Sequence, residues 1–587
     1  MVFNGMETTT KPAGRNSLRE RLTYEPKELK FGTSGRRGEV RDLTQLEIYI
    51  NALAELEYLQ SLTPEEGGIV QGQEFYFACD LRPSSTAYVP EQQGRGEIAQ
   101  AIVCAIEQAG LLPVNLGRIP TPALMYYATS EGRGSVMVTG SHIPLDRNGY
   151  KLNTSRGELL KKDEGPIGER VLRVRETLYD QPFARSLFDE VGRLKAGHRE
   201  LPLETDAARS DYAARYEDFF EGQSLAGMRL AVYQHSAVGR DLLADLLRHF
   251  GAEVIACGRS ETFIPIDTEN IGAAQLAAIQ LLADGAREKH GAIDAVVSTD
   301  GDSDRPLIVG IDPVSGHARF FGGDLVGMIA AEYLGADAVV VPISCNDAID
   351  RGPLKDMLEP KTRIGSPYVV AGMEKARNRG RRRICGWEAN GGFLTGSDME
   401  RNGRILKALP TRDALLPILC VLFAAREKGV ACNDLFASLP RRFSRAALLE
   451  QFPKAAASRI VSRYSPSGAG IREVAFDHGQ VSWSDENGTQ HEASEPEKRA
   501  MEAIRSQLEG CFPPEGGFGA IARLNYVDGV RIVFRNGEVA HVRPSGNADE
   551  LRIYAVADSQ ARADAIAEMG VREPDGILRK MEKASYS

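Results

Sequence analysis

Short apolar runs, each closed by a Gly-rich or polar loop, alternate with longer amphipathic stretches through roughly the first three quarters of the chain. Glu74–Ala78 reads as a strand, Arg95–Gln108 as a helix, and Leu112–Asn115 as a second strand after the stop at Gly110. Thr121-Pro122 opens another helix, and the apolar strand Val136–Val138 runs into Thr139-Gly140-Ser141-His142. Residues 180–210 are polar and mixed, which suits an exit from a first domain. The rhythm then returns as a helix near Asp211–Glu221, strand Arg229–Tyr233, helix Arg240–Phe250 and strand Glu253–Ala256. Ala295–Val297 and Leu307–Val309 read as buried strands on either side of an Asp-rich loop. Helix Asp324–Tyr333 and strands Ala338–Val341 and Arg383–Gly386 follow. Repeated βαβ units predict parallel or mixed sheets covered by helices. The units share this rhythm without an internal sequence repeat.

Beyond about residue 435 the texture changes. Ser465–Arg499 is polar and irregular. A hairpin turning at Asn536-Gly537, a further strand and a helix Ser559–Met569 then read as a small α+β domain. The expected division is residues 1–222, 223–320, 321–434 and 435–587, with residues 1–27 a mobile tail.

Composition narrows the partners. A chain of 587 residues suits roughly four domains. A formal net charge of −10 speaks against nucleic acid, so an anionic substrate must be held by locally placed cations. The eight cysteines form no C-x-x-C pair, which fits a reducing, cytoplasmic setting rather than zinc or disulfides. No run reaches the roughly eighteen apolar residues of a membrane span. Monomer and dimer stay equally open.

The chemistry lies in the loops. VVSTDGDSDRPLIV sets Asp300, Asp302 and Asp304 at every second position between two strands. Three hard carboxylates converging at a strand end suit Mg²⁺ or Ca²⁺. Read alone, Asp-Gly-Asp is more often an acidic surface turn than a metal site. An EF-hand fails on spacing, because its Gly and Glu positions hold Arg305 and Ile311; a haloacid-dehalogenase loop would want Thr or Val in place of Asp304. FGTSGRRGEV, Phe31–Val40, is a flexible, cationic, donor-rich loop of the kind an anion needs. Ser141 sits at a strand's carboxyl end, where open α/β sheets keep their sites. WEANGG places Glu388 and Asn390 just past a strand. RPSGN, with Arg543, Ser545, Gly546 and Asn547 and with Arg552 beyond, is a second candidate anion clamp.

Five motifs in this order resemble the α-D-phosphohexomutase superfamily of phosphoglucomutases and phosphomannomutases. FGTSGRRG is similar to its FGTSGxRG loop, and TGSHIPLDRNGYK to its phosphoserine loop. DGDSDR matches its metal loop, WEANGG resembles its sugar loop G-E-x-S-G-H, and RPSGNADELRIY its phosphate loop RPSGTEPKxRxY. The likeness spans about residues 30 to 560. It implies four domains around a central cleft: three related α/β domains with mixed sheets and a smaller α+β C-terminal domain.

It also implies roles. Ser141 would carry the phosphoryl group, and Asp300, Asp302 and Asp304 would bind one Mg²⁺ together with an oxygen of phosphorylated Ser141. Arg37 and Lys151 would line the transfer site, Lys151 as acid/base, with His142 and Arg305 close by. Glu388 and Asn390 would meet sugar hydroxyls. Arg543, Ser545, Gly546, Asn547 and Arg552 would hold the phosphate that is not transferred. The activity implied is interconversion of hexose 1- and 6-phosphates, in the first place of mannose. Glucose 1,6-bisphosphate or mannose 1,6-bisphosphate would be the activator. Phosphoglucomutase, and a sugar-phosphate-binding protein without turnover, are the alternatives. The departures bear on sugar specificity: in the serine loop Ile143 replaces Asn, in the sugar loop Asn390 replaces Ser and Gly392 replaces His, Ser366 stands where some members carry His, and in the phosphate loop Asn547–Glu550 replaces Thr-Glu-Pro-Lys.

Overall fold

The computed structural model describes residues 16–586 apart from 33–34, 468–469, 487 and 547–548. Four main sheets follow one another along the chain. In the first, strands Leu112–Asn115, Glu74–Cys79 and Ser135–Val138 run parallel, and Arg147–Thr154 and Arg36–Glu39 add antiparallel. In the second, Glu253–Arg259, Arg229–His235 and Ala295–Thr299 are parallel, and Pro306–Ile311 and Ala318–Phe321 antiparallel. In the third, Ala338–Val340 and Ile384–Trp387 are parallel, and Phe393–Thr395 and Leu409–Asp413 antiparallel.

One device therefore occurs three times. A parallel strand ends, a short loop turns, and the chain returns antiparallel beside it. Ser141 lies in that loop in the first sheet, the three aspartates in the second, and Glu388 and Asn390 in the third. The structural repeat is plain although the residues do not repeat, because register and strand direction set it rather than side-chain identity.

The core explains which elements the pattern revealed. Helix Gln45–Leu59 escaped a reading by amphipathicity because it is buried on every side. Its polar residues are paired inside: Glu47 accepts from Arg175 and Tyr179, and Glu55 from Arg36. Helix Leu415–Lys428 is almost wholly apolar for the same reason. Its Phe423 stacks on Phe220, with 4.7 Å between centroids, in a core shared by the first three sheets. Fully burying one such ring contributes about 1.5–3 kcal/mol.

Two expectations change. The supposed tail is packed from Ser17 onward: a capped turn, Leu18–Arg21, buries Leu18 completely in the first core. Ser465–Arg499 is not irregular either. It holds strands Glu473–Asp477, Gln480–Ser484 and Gln490–Glu492 and the start of helix Glu495–Cys511. These strands extend an eight-stranded antiparallel sheet. Of the first two, Val474, Phe476 and Val481 are buried in the core and Trp483 packs against it, so the apolar signal is short. Among the described residues no helix is long and apolar enough to cross a membrane.

Candidate active site

The serine loop is built by a buried guanidinium. Arg82 donates to the carbonyls of Ser141 (2.9 Å), Ile143 (2.6 Å) and Pro144 (2.9 Å) and pairs with Asp80 at 3.2 Å. Asp80 in turn accepts from the Thr139 hydroxyl at 2.8 Å, and the Ser141 amide donates to Thr139 Oγ1 at 2.7 Å. Gly140 must be glycine, because a Cβ there would lie 2.6 Å from Arg82 Nε. Ser141 itself takes φ +56°, the left-handed region, which a non-glycine residue holds only when its surroundings compel it. The Arg82 guanidinium also lies 3.8 Å from the ring centroid of Phe263, from the second sheet's domain.

This shape aims Ser141 Oγ at Asp300 Oδ2, to which it donates at 2.8 Å. The other oxygen of Asp300 accepts from the amides of Asp304 and Arg305. One oxygen from each of Asp300, Asp302 and Asp304 lies within 4.8 Å of the others, and all three residues are buried. Oδ1 of Asp302 and Oδ1 of Asp304 have no hydrogen-bond partner. Buried carboxylate oxygens left unpaired in a hard-donor cluster fit a divalent cation such as Mg²⁺. The acidic-turn reading fails on burial.

Cations surround the cluster from three domains. Lys151 Nζ donates to Asp302 Oδ2 (2.7 Å) and Asp304 Oδ2 (2.8 Å). Thr121 Oγ1 donates to Asp302 Oδ2 at 2.7 Å. Arg412, from the third sheet, donates through Nε (3.0 Å) and Nη2 (2.8 Å) to Asp304 Oδ2. Arg305 Nε lies 3.6 Å from Asp304 Oδ1. Burial, and then Asp302 and Asp304, push the Asp300 carboxyl well above the usual range. Burial opposes ionisation of Asp304 too, but Arg412, Lys151 and Arg305 hold it far below that range. Asp302 is held low by Lys151 and Thr121 against burial and Asp304.

Arg37 joins this group. Its Nε and Nη2 are buried without a hydrogen-bond partner, and burial and Arg305 lower its pKa to about 10, still a cation at neutral pH. His142 Nδ1 is 3.4 Å from Ser141 Oγ; burial, Arg305 and Arg37 hold the imidazole well below its ordinary range, hence neutral. The sugar loop meets the same centre. Glu388 Oε2 accepts from Arg412 Nη1 at 3.0 Å, while Asn390 Oδ1 accepts from the Gly392 amide and its carbonyl from Thr268. Ser366 is buried and donates to Glu158 at 2.7 Å, as Thr411 does at 2.6 Å, so the third domain is tied to the first.

The fourth-domain loop has its own set of partners. Arg543 Nε is 3.3 Å from Asp528 Oδ1, and Asp528 Oδ2 accepts from the Ile364 amide of the third domain. The Ser545 amide donates to the Glu550 carbonyl, and the Gly546 carbonyl faces Lys454 at 3.5 Å. Arg552 pairs with Glu550 at 2.8 Å, and Asn547 lies outside the described residues. Glu269 connects the two regions electrostatically. Burial and Asp267 raise it to about 7, against the opposing charges of Arg552 and Arg305. A cavity of ≈ 880 Å³ opens here, lined by Glu269, Asp324, Asn346, Ala389, Arg442 and Tyr554. Among the described residues, Arg82, Asp80, Thr121, Glu269 and Arg412 belong to the site and were missed from sequence. Arg412 left one signal, a charged pair set directly before the apolar helix Leu415–Lys428.

Comparison with known proteins gives the family and the fold. Family models match residues 28–176 (Phosphoglucomutase/phosphomannomutase, alpha/beta/alpha domain I), 322–443 (alpha/beta/alpha domain III) and 492–573 (C-terminal domain). A phosphomannomutase of Sinorhizobium fredii (strain NBRC 101917 / NGR234) is 35% identical over 542 residues, covering 92% of this chain and 98% of the relative. A phosphomannomutase of Salmonella muenchen is 34% identical over 546 residues, covering 92% and 94%. In fold, the chain is similar to a phosphoglucomutase/phosphomannomutase family protein of Burkholderia thailandensis, with TM-score 0.60 at 17% identity over 94% of this chain and 97% of that one. A putative phosphomannomutase of Thermus thermophilus gives TM-score 0.59 at 18% identity over 96% and 100%.

Proposed function

Because this chain belongs to the phosphoglucomutase/phosphomannomutase family, a family of phosphohexomutase isomerases, we propose that it interconverts mannose 1-phosphate and mannose 6-phosphate. The observation that carries the reading is the 2.8 Å hydrogen bond from Ser141 Oγ to Asp300, which puts a strained, buried serine against three convergent carboxylates. A sugar-phosphate-binding protein without turnover has no use for that arrangement. The mannose preference rests on the two relatives at 34–35% identity, whose names say phosphomannomutase.

In this reading Ser141 carries a phosphoryl group between turnovers. Asp300, Asp302 and Asp304 would hold Mg²⁺, which when bound neutralises charge on the transferring phosphoryl. Arg37, with two unpaired N–H groups, steadies the equatorial oxygens. Lys151 passes the proton of the attacking sugar hydroxyl to the leaving Ser141 Oγ, as the neutral amine before the transfer and the ammonium between its two halves, which an always-charged guanidinium cannot do. His142 and Arg305 flank the transfer, and Glu388 and Asn390 accept from and orient the sugar. Arg543, Ser545, Gly546, Asn547 and Arg552 hold the distal phosphate. The 1,6-bisphosphate made by the first transfer turns end for end and returns its other phosphate to Ser141. A hexose 1,6-bisphosphate therefore primes the enzyme.

The test is turnover of mannose 1-phosphate and of glucose 1-phosphate, each with Mg²⁺ and catalytic glucose 1,6-bisphosphate. The reading expects a higher kcat/KM for the mannose ester. Turnover of the glucose ester alone would make the protein a phosphoglucomutase, and turnover of neither would end the mutase reading.

A further inference from the structure

The sugar loop of this chain lacks a cation of its own, and the structure shows where one comes from. Gly392 closes the loop, and a Cβ built there would lie 2.5 Å from Arg412 Cδ, 2.7 Å from Cγ and 2.9 Å from Cβ. These are stem atoms of a side chain fixed at its tip, so they cannot swing aside cheaply. The stem of Arg412 thus fills the space that any larger residue at 392 would need. Its guanidinium then spans two carboxylates, donating to Asp304 through Nε and Nη2 and to Glu388 Oε2 through Nη1. The side chain is only 4% exposed.

The backbone holding it is equally constrained. Arg412 is in the edge strand Leu409–Asp413, beside the sugar-loop strand Phe393–Thr395. The next residue, Asp413, accepts from the hydroxyls of Tyr212 and Tyr216 and caps helix Leu415–Lys428 through the Leu415 amide. A guanidinium anchored this way presents a rigid fork that an ammonium cannot reproduce.

We infer that Arg412 is the specificity-determining positioning residue of the sugar site: it turns Glu388 so that one carboxylate oxygen is committed to Arg412 and the other faces the hexose, and Gly392 is small to admit it. The inference rests on the mutase reading for the identity of the ligand, not for the geometry. It ties hexose recognition to the aspartate cluster through one side chain, because Asp304 and Glu388 share the same guanidinium.

The test uses the full-length protein and two variants, Arg412→Lys and Gly392→Ala. The second removes no charge, so it keeps the question answerable if the first fails to fold; melting curves establish folding of each. Binding of mannose 1-phosphate, glucose 1-phosphate and inorganic phosphate is measured by calorimetry on metal-free protein, and kcat and KM with Mg²⁺. Losing one hydrogen bond to a charged group corresponds to about ten- to a hundredfold in affinity. Both folded variants should lose hexose-phosphate affinity by about that factor, change the mannose-to-glucose ratio of kcat/KM, and bind inorganic phosphate as wild type does. Unchanged sugar-phosphate affinity and an unchanged ratio in a folded variant would overturn the inference. Equal loss for inorganic phosphate would overturn it too, since Arg412 would then be a phosphate ligand. Wild-type protein that binds the sugar phosphates without turning them over would refute the mutase reading instead, and the binding comparison would still decide the role of Arg412.

Discussion

Replacing Arg82 by lysine should disable the serine loop without removing any proposed catalytic group. The Arg82 guanidinium is buried and serves three carbonyls of that loop, at 2.6–2.9 Å, besides Asp80. A lysine keeps the charge, but one ammonium on an unforked stem cannot span carbonyls of residues 141, 143 and 144. One or two charge-assisted hydrogen bonds are lost, each worth about 1.5–3 kcal/mol, so the first domain loses about 1.5–6 kcal/mol. The effect on rate follows from placement. Ser141 keeps its left-handed backbone because the loop compels it, and displacing a reacting group by about 1 Å costs about a hundredfold. The variant should therefore melt earlier and show kcat lowered by about two orders of magnitude with KM for the hexose phosphate nearly unchanged. Steady-state kinetics with Mg²⁺ and the bisphosphate, alongside calorimetric melting, read both quantities. A folded Arg82→Lys protein with wild-type kcat would refute the claim that this guanidinium sets the position of Ser141.

Four further outcomes follow. Asp302→Asn should weaken metal binding, read by titration calorimetry with Mg²⁺, because it removes one of three hard carboxylates; activity that survives complete chelation would contradict the metal assignment. Lys151→Met should lower kcat by about two to four orders of magnitude in steady-state kinetics with Mg²⁺, and a wild-type kcat would remove Lys151 as acid/base. Arg543→Ala should weaken 1-phosphate and 6-phosphate substrates together, by about ten- to a hundredfold, and increase free bisphosphate released per turnover; loss in one direction only would mean the loop is not shared by both half-reactions. Burial lowers buried His235 and His541 to about 4, so each stays neutral when folded while the unfolded chain takes up a proton below about 6.5. Their stabilising contribution is complete above that pH and is lost as pH falls toward 4; His235→Gln should flatten this acid limb in melting curves measured from pH 7 to 4, and an unchanged limb would show that the titration lies elsewhere.

The loops that carry chemistry were legible because each interrupts an apolar strand with glycine and charge. Asp300, Asp302 and Asp304 stand between two buried strands, and alternate spacing on a hairpin does converge them. What the sequence hid falls into two kinds. Helix Gln45–Leu59 buries its polar row Glu47, Asn51 and Glu55 along with its apolar residues, and strands Glu473–Asp477 and Gln480–Ser484 are short alternating runs set inside a polar stretch, so the surrounding composition masked both. Arg82, Thr121 and Arg412 act across domain boundaries or along a loop's backbone, and no spacing in the chain links residue 121 to 302 or 412 to 304. The Gly392 departure was visible but had no meaning until the Arg412 stem was seen in its place.

The account stands most directly on the passage of phosphate through Ser141. Purified protein is loaded with glucose 1,6-bisphosphate, freed of excess, and chased with mannose 1-phosphate while the Ser141 peptide and the sugars are followed by mass spectrometry. Phosphate should be found on Ser141 after loading, leave it on the chase, and reappear in mannose 1,6-bisphosphate and then in mannose 6-phosphate. The Ser141→Ala protein should show neither loading nor isomerisation. Mannose 6-phosphate formed at the wild-type rate by Ser141→Ala, or a Ser141 peptide that never gains phosphate while turnover proceeds, would contradict it.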